Sequence, residues 1–401
     1  MKAVILAAAP SDKLKPFTET RAKSMIRVAG KPILEHITLS LKQAGIRDLL
    51  VVVGHHRESI ESTMGHGHAY DVSIDYMVQE TPLGIGSALM ACRQELMGEP
   101  FMLVYGDVLA TGHPFQRVLE HHAETGGGVA AVALPRSSKN FGNVYMDPEM
   151  KITKLVEKPE DSHLANYVFA GIFVLPPEVF QLLEQNNQDM EQCFQKLIEN
   201  RALHATLWDG DWIDITRPWH ILDANRMLMD LWPQMEIHHS VKMEGSVHLE
   251  GPVHIEENVV IGAGSVLKGP CYIGAGSYIG NNTLIREYTA LGPDSSVGYG
   301  TELKNCVLFG KSTLGRLSYI GDSVIGEKVH LGTGCCTVNF YPDGTPIRME
   351  GESGLLDTGV EKLGAMIGDN VIIGARHVLE PGTRIRSNHK VADMVTIRTE
   401  L

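Results

Sequence analysis

The chain has 401 residues, 43% hydrophobic and 21% charged, with a formal net charge of −13. That length allows two or three domains, and the acidic balance sets the surface against the phosphates of nucleic acid and anionic lipid, so neither is expected as a partner. Any phosphate it binds must enter a local basic pocket. The six cysteines (Cys92, Cys193, Cys271, Cys306, Cys335 and Cys336) hold no C-x-x-C pair and are too scattered for a disulfide framework, which predicts reduced thiols and a cytoplasmic protein. The opening Met1 to Ala9 has a short apolar run closely followed by Lys13 and Lys15, so it reads as a strand rather than a secretory signal. No apolar run reaches the roughly 18 residues of a membrane span.

In chain order, residues 1–225 alternate short β-branched runs with amphipathic stretches. Strands are expected at 4–6, 49–53, 101–105, 129–134 and 171–175, and helices at 32–44 and 59–64, with Gly45 as a helix stop. This is α/β grammar, a mostly parallel sheet covered by helices, and loops after such strands are where ligands bind. Residues 226–240 read as a helix ending near Pro233, then a connector. From 241 to 401 the pattern becomes a six-residue beat: an aliphatic recurs at Met243, Leu249, Ile255, Ile261, Leu267, Ile273, Ile279, Ile285, Leu291, Val297 and Leu303. Each such aliphatic would point into one continuous core of stacked coils, a hexapeptide β-helix. The beat blurs near Gly315 and resumes at Ile367, Ile373, Leu379 and Ile385. Between them, 335–365 reads as a long loop leaving the solenoid, on the turn chemistry of Tyr341-Pro342-Asp343-Gly344 and Gly351-Glu352-Ser353-Gly354.

The opening segment Leu6-Ala7-Ala8-Ala9-Pro10-Ser11-Asp12-Lys13, with Lys23 and Gly30-Lys31-Pro32 after it, resembles the signature of the sugar-1-phosphate nucleotidylyltransferases. The resemblance continues through Gln79-Glu80-Thr81-Pro82-Leu83-Gly84, Gly106-Asp107-Val108, Phe141-Gly142-Asn143, Glu157-Lys158-Pro159, Ala170-Gly171 and Trp212-Ile213-Asp214. These segments span the whole first half in the family's order. The resemblance implies a Rossmann-like nucleotidyltransferase domain that joins an NTP, with UTP or dTTP favoured, to a hexose-1-phosphate. A sugar phosphate oxygen would attack the α-phosphorus and pyrophosphate would leave, so the protein has mainly to align the groups and spread negative charge.

By that resemblance, Asp107 and Asp214 hold Mg²⁺, and Lys13 and Lys23 act on phosphate. Ala8 binds substrate, Gly84 lets the backbone approach the base, and Gln79 reads the base edge. Gly142 and Glu157 bind sugar hydroxyls and Lys158 the sugar phosphate. An isolated aspartate would read as a loop or cap residue; the ordered context supports the metal reading.

Departures from the family pattern open a rival. Ala9 and Ser11 stand where the family has glycines, and Pro10 removes an N–H donor. If either site requires a left-handed backbone, the non-glycine residue costs about 1–2 kcal/mol. Lys13 and Lys15 replace arginines and lose the flat bidentate fork. Ala22, Ser24, Ile85 and Thr216 are further replacements. The rival is a catalytically weakened regulatory or scaffold subunit that binds nucleotide sugars.

The second half resembles the left-handed β-helix of hexapeptide acyltransferases. Its position after a nucleotidylyltransferase is similar to archaeal-type bifunctional enzymes that acetylate and uridylylate glucosamine-1-phosphate. In Gly315-Arg316-Leu317-Ser318-Tyr319 the family's histidine is Arg316, which stays protonated and cannot take a proton from an amine. Tyr319, Asn339 and Lys362 match positions lining the sugar and coenzyme site, so acetyl-CoA is a cofactor only if this domain is active. Doubtful acetyl transfer leaves the solenoid an assembly role, in a trimer or dimer of trimers. The pairs His55-His56, His121-His122 and His238-His239, with His66 and His68, read as exposed loop or helix ends. Cys335-Cys336 reads as a pair of ordinary thiols, and Trp208, Trp212 and Trp219 as core packing beside Asp214.

Overall fold

The apolar runs of the first half become strands because β-branched side chains are stiff and fit a pleated surface covered on both faces. In the computed structural model, residues 1–134, 143–156, 167–351 and 354–393 are described. Four parallel neighbours, β1 (Ala3–Leu6), β2 (Asp48–Val53), β3 (Ser73–Val78) and β4 (Phe101–Tyr105), lie in the order β4-β1-β2-β3. Parallel pairing needs crossovers. Helices Ile33–Gln43, Arg57–Met64 and Ile85–Ala91 lie in these connections.

A short strand, β5 (Val108–Ala110), follows β4. The sheet then continues on the β4 side with β6 (Gly128–Ala133), β7 (Asn143–Met146), β8 (Ile152–Val156), β9 (Tyr167–Leu175) and β10 (Leu203–Trp208). Strand β9 runs antiparallel to β4, β6 and β7, so the sheet is mixed rather than uniformly parallel. The flanking helices start and stop where their sequence dictates. Pro114 opens Pro114–Thr125 where a missing N–H costs nothing, and Gly126, at φ +67, closes it. Asp189 caps Met190–Glu199 by accepting from Glu191 N and Gln192 N. Phe101, Phe173, Phe180 and Phe194 fill one apolar cluster on the sheet.

The second half is a left-handed parallel β-helix of three sheets. Val253 pairs with Cys271, eighteen positions on, so three six-residue beats make one coil. Ile255, Ile261, Leu267, Ile273, Ile279, Ile285, Leu291, Val297 and Leu303 all enter a single core. At the start of the run Met243 is 40% exposed, since no earlier coil covers it.

The beat does not lapse near Gly315. It continues through Leu308, Leu314, Ile320, Ile325 and Leu331, all in the same core. Two corners are one residue shorter: Ala290 pairs with Val307, and Val307 with Val324, each seventeen positions on. Asn305 and Asp322 turn these corners at φ +49 and +47. Asparagine and aspartate tolerate that backbone better than other side chains.

The inserted loop is also narrower than 335–365. Cys336–Thr337 is a regular rung, paired with Val378 and Leu379, and Cys335 is buried in the core. The chain leaves after Asn339, forms a hairpin of Arg348–Gly351 with Gly354–Asp357, and rejoins where Leu363 N donates to Asn339 O at 2.9 Å. The helix expected at 226–240 is His220–Met229, so it starts earlier, and Glu236–Ile237 already pairs with the next coil.

The chain forms two compact units, Met1–Pro10, Ala22–Met25 and Ile33–Asp214 in the first, and Ser11–Arg21, Ile26–Pro32 and Ile215–Leu401 in the second. This division differs from a boundary at 225 because two early segments pack with the solenoid. Ala29 N donates to Asn225 Oδ1 at 2.8 Å, and Asn225 Nδ2 donates to Tyr288 O at 2.8 Å.

Candidate active site

Strand β1 has β2 on one side and β4 on the other, so the order of connections reverses between β1 and β4. A crevice outside the carboxyl ends of strands at such a point is a ligand site. The backbone there is tightly packed: Ala7 N donates to Val52 O and Gly106 N to Leu6 O, both at 2.9 Å. A Cβ on Gly106 would fall 2.5 Å from Leu6 O, and one on Gly54 2.8 Å from Ala8 O. Gly54 was not singled out by the sequence reading; only the close approach of Ala8 shows why a glycine stands there.

Asp107 follows Gly106 at the end of β4. The antiparallel ribbon of β5 with β11 (Trp212–Asp214) sets Asp214 opposite Val108, next to Asp107. Trp212 Nε1 donates to Ala170 O at 2.9 Å and fixes the ribbon from its outer side. Lys23, on the turn Lys23–Met25, donates to Asp107 and lies 3.7 Å from Asp214 Oδ1. All three side chains are largely buried, at 11% exposure for Lys23, 27% for Asp107 and 18% for Asp214. Two carboxylates brought together away from water stay charged together only with a cation between or beside them. Two carboxylates converging on one ammonium suit a hard cation that keeps waters and phosphate oxygens in its remaining positions. The residues present therefore fit Mg²⁺. Among the described residues, no group of three or more His, Cys, Asp or Glu side chains could hold a metal.

Gln79 follows β3. The residue is 9% exposed, and its Nε2 donates to Gly84 O at 3.2 Å. Gly84 opens the helix Ile85–Ala91 at φ +100, ψ 179, with open space where a Cβ would point. Glycine is needed there for its backbone, not for clearance. Ala8 is buried beside Gly54.

Lys13 is exposed on the turn Asp12–Leu14, in the second unit, and Lys15 pairs with Asp12 at 2.7 Å. Neither Ala9 nor Ser11 has a left-handed backbone; Ser11 sits at φ −139. The strain that replacing glycine could have introduced is absent at both positions. Gly142, Glu157 and Lys158 lie outside the described residues. The structure thus brings together Lys23, Asp107 and Asp214, and separately Gln79 with Gly84.

In the solenoid, Tyr319 and Asn339 are neighbours, Asn339 Nδ2 lying 3.4 Å from the Tyr319 hydroxyl. Burial first, and the Asp322 charge next, push the Tyr319 phenol up from its usual range. Asn339 also donates to Asp322, a fully buried carboxylate that accepts from Asn305 Nδ2 at 2.6 Å and Lys304 Nζ at 3.0 Å. Asp322 was not recognised in the sequence, because only the short corner places it inside. Arg316 and Lys362 are exposed.

A family model described as Nucleotidyl transferase matches residues 2–230. One described as GMPPB C-terminal domain matches 267–340, and one described as Hexapeptide repeat of succinyl-transferase matches 364–392. Among curated proteins, the Bifunctional protein GlmU of Methanococcus vannielii is 34% identical, over 97% of this chain and 92% of that protein. The Bifunctional sugar-1-phosphate nucleotidylyltransferase/acetyltransferase of Sulfurisphaera tokodaii is 29% identical, over 96% of this chain and 94% of its own. Among solved structures, a UDP-glucose pyrophosphorylase from Acinetobacter baumanii aligns with a TM-score of 0.51 at 22% identity, over 58% of this chain and 94% of that one, a likeness of fold.

Proposed function

The chain belongs to the nucleotidyl transferase family, and on that premise we propose that it joins the nucleotidyl group of an NTP to a sugar-1-phosphate, giving an NDP-sugar and pyrophosphate. The observation that carries this reading is the convergence of Asp107 and Asp214 on Lys23 at the carboxyl end of β4. UTP or dTTP and a hexose-1-phosphate are the proposed substrates, and the cytoplasm the proposed compartment.

In the reaction, an oxygen of the sugar phosphate attacks the α-phosphorus in line with the departing pyrophosphate, so the protein supplies alignment and charge rather than covalent chemistry. Asp107 and Asp214 would hold Mg²⁺, which supplies neutralisation of the charge developing on the phosphates. Lys23 answers the same charge from the opposite sign of side chain, its ammonium already held within reach of both acids. Lys13 would add a second ammonium by the family resemblance. The Gln79 amide presents a donor and an acceptor to a base edge, and its bond to Gly84 O restricts the orientation. Gly142, Glu157 and Lys158 remain proposed sugar-phosphate contacts by resemblance.

The test is pyrophosphate release with Mg²⁺, each NTP and a panel of sugar-1-phosphates. Turnover with at least one pair is expected; silence across the panel, with nucleotide sugar bound tightly, would instead favour the regulatory or scaffold role.

A second reading, acetyl transfer by the solenoid, draws support from the bifunctional names of the relatives. Arg316 opposes it, since a guanidinium holds its proton throughout the accessible pH range. We propose an assembly role for the solenoid, in a trimer or dimer of trimers. Sedimentation tests the assembly, and release of free CoA from acetyl-CoA with an amino-sugar phosphate would reinstate the acetyl reading.

A further inference from the structure

Glu327, Asp369 and Ser387 occupy one corner of three successive solenoid coils, each two places beyond a core aliphatic. Those aliphatics, Ile325, Ile367 and Ile385, pair in register. The corresponding corner of an earlier coil, two places beyond Ile273, carries Ala275. Coil closure therefore does not call for an acid at position 369. Yet the Asp369 side chain is 7% exposed, and both its oxygens are used. Oδ1 accepts from Glu327 N at 2.7 Å, while Oδ2 accepts from the Thr20 hydroxyl and the Arg21 guanidinium.

The same corner holds the rest of this early segment. Phe17 packs edge-on against Phe309 with ring centroids 5.3 Å apart, and the Arg21 guanidinium lies 4.7 Å over the same ring. Ser387 N donates to Glu19 Oε2 at 2.8 Å, and Ser387 Oγ to Pro16 O at 3.3 Å. Residues 16–21 are thus laid along the solenoid, between Lys13 and Lys23 in the chain. Pro16 is only three residues after Lys13, too short a tether for one to move freely while the other is fixed.

We infer that Asp369 is a positioning residue for nucleotidyl transfer: by gripping Thr20 and Arg21 it sets the path of the segment that bears Lys13. The inference rests on the reaction proposed above. A buried carboxylate bonded to a guanidinium is directional and strong, and an amide in its place can still accept from Thr20 but cannot pair with the charge of Arg21.

The experiment compares wild type with Asp369→Asn and Asp369→Glu, using the NTP and sugar-1-phosphate pair that gives the fastest wild-type pyrophosphate release. Backbone hydrogen exchange of the full chain is followed alongside. Asp369→Asn is expected to lower kcat/KM about tenfold to a hundredfold, chiefly through KM for the NTP, the order expected when a charged hydrogen bond is removed. Exchange should accelerate at 16–21 and stay unchanged in β4 and in the coils from 255 to 303, with partial recovery in Asp369→Glu. Should Asp369→Asn fail to fold, Arg21→Lys, which keeps the charge and loses the fork, carries the same expectations. A kcat/KM within about twofold of wild type would overturn the inference, since an interaction worth so little positions nothing. So would faster exchange spread over both units, which marks a purely structural role. A wild type that turns over no pair sinks the reaction instead, and the exchange arm still decides whether Asp369 holds the segment.

Discussion

Lys23 and Asp107, 84 residues apart in the chain, form an ion pair at the end of the central strand β4. The pair makes the acids stable in the absence of any other cation, and it predicts how the site responds when either partner is lost. Asp107→Asn should lower kcat by about a hundredfold or more, the size typical of removing one electrostatic stabiliser from a water-poor site. Lys23→Met should leave Asp107 facing Asp214 without their cation, lowering Tm. Millimolar Mg²⁺ should then raise Tm more in this variant than in wild type, and thermal melts with and without Mg²⁺ check it.

Because neither Ala9 nor Ser11 has a left-handed backbone, restoring the family's glycines should bring no catalytic gain. It should instead loosen the unfolded chain, costing about 0.5–1 kcal/mol per glycine. Adding Lys13→Arg to that double variant isolates the guanidinium fork. Initial rates and melting curves of the double and triple variants distinguish the two effects, and a large gain from the glycines alone would contradict the loop geometry.

Ile285 is fully buried in the solenoid and Met243 is 40% exposed, although both stand on the same six-residue beat. Ile285→Ala should destabilise by about 2–5 kcal/mol, through lost transfer energy and the cavity left behind. Met243→Ala should cost little. Denaturant unfolding followed by far-UV circular dichroism compares them.

Burial pushes the thiols of Cys92 and Cys306 up to about 12. At pH 8 only about one in ten thousand of such groups is thiolate, the reactive form. Iodoacetamide should therefore leave both unmodified in the native protein over hours at that pH, and the rate should rise about tenfold for each pH unit while the fold holds. Cys336, half-buried, should label first. Mass spectrometry of tryptic peptides reads the order.

Sequence patterns exposed the parallel strands and most of the solenoid because both depend on local periodicity, and the aliphatics from Ile255 to Leu303 occupy the core positions their spacing assigned. What the pattern hid was anything produced by a single missing residue or by long-range contact. Shortened corners at Asn305 and Asp322 shifted the beat by one and made a continuous stack look broken. The convergence of Asp107 with Asp214 was legible only through family resemblance, since the ribbon that joins them pairs residues about a hundred positions apart. Gly54 and Asp369 carried no local signal, because their roles are set by Ala8 in one case and by Thr20 and Arg21 in the other.

The early residues counted with the solenoid limit how such a gene can recombine. A crossover near codon 225 would give residues 16–21 an unrelated coil edge, with no assurance of a carboxylate for Arg21 or a hydroxyl for the Pro16 carbonyl. Chimeras should succeed only between parents that already agree at positions 21, 369 and 387. Inheritance of the two halves is then linked, and a drift in one must be matched in the other.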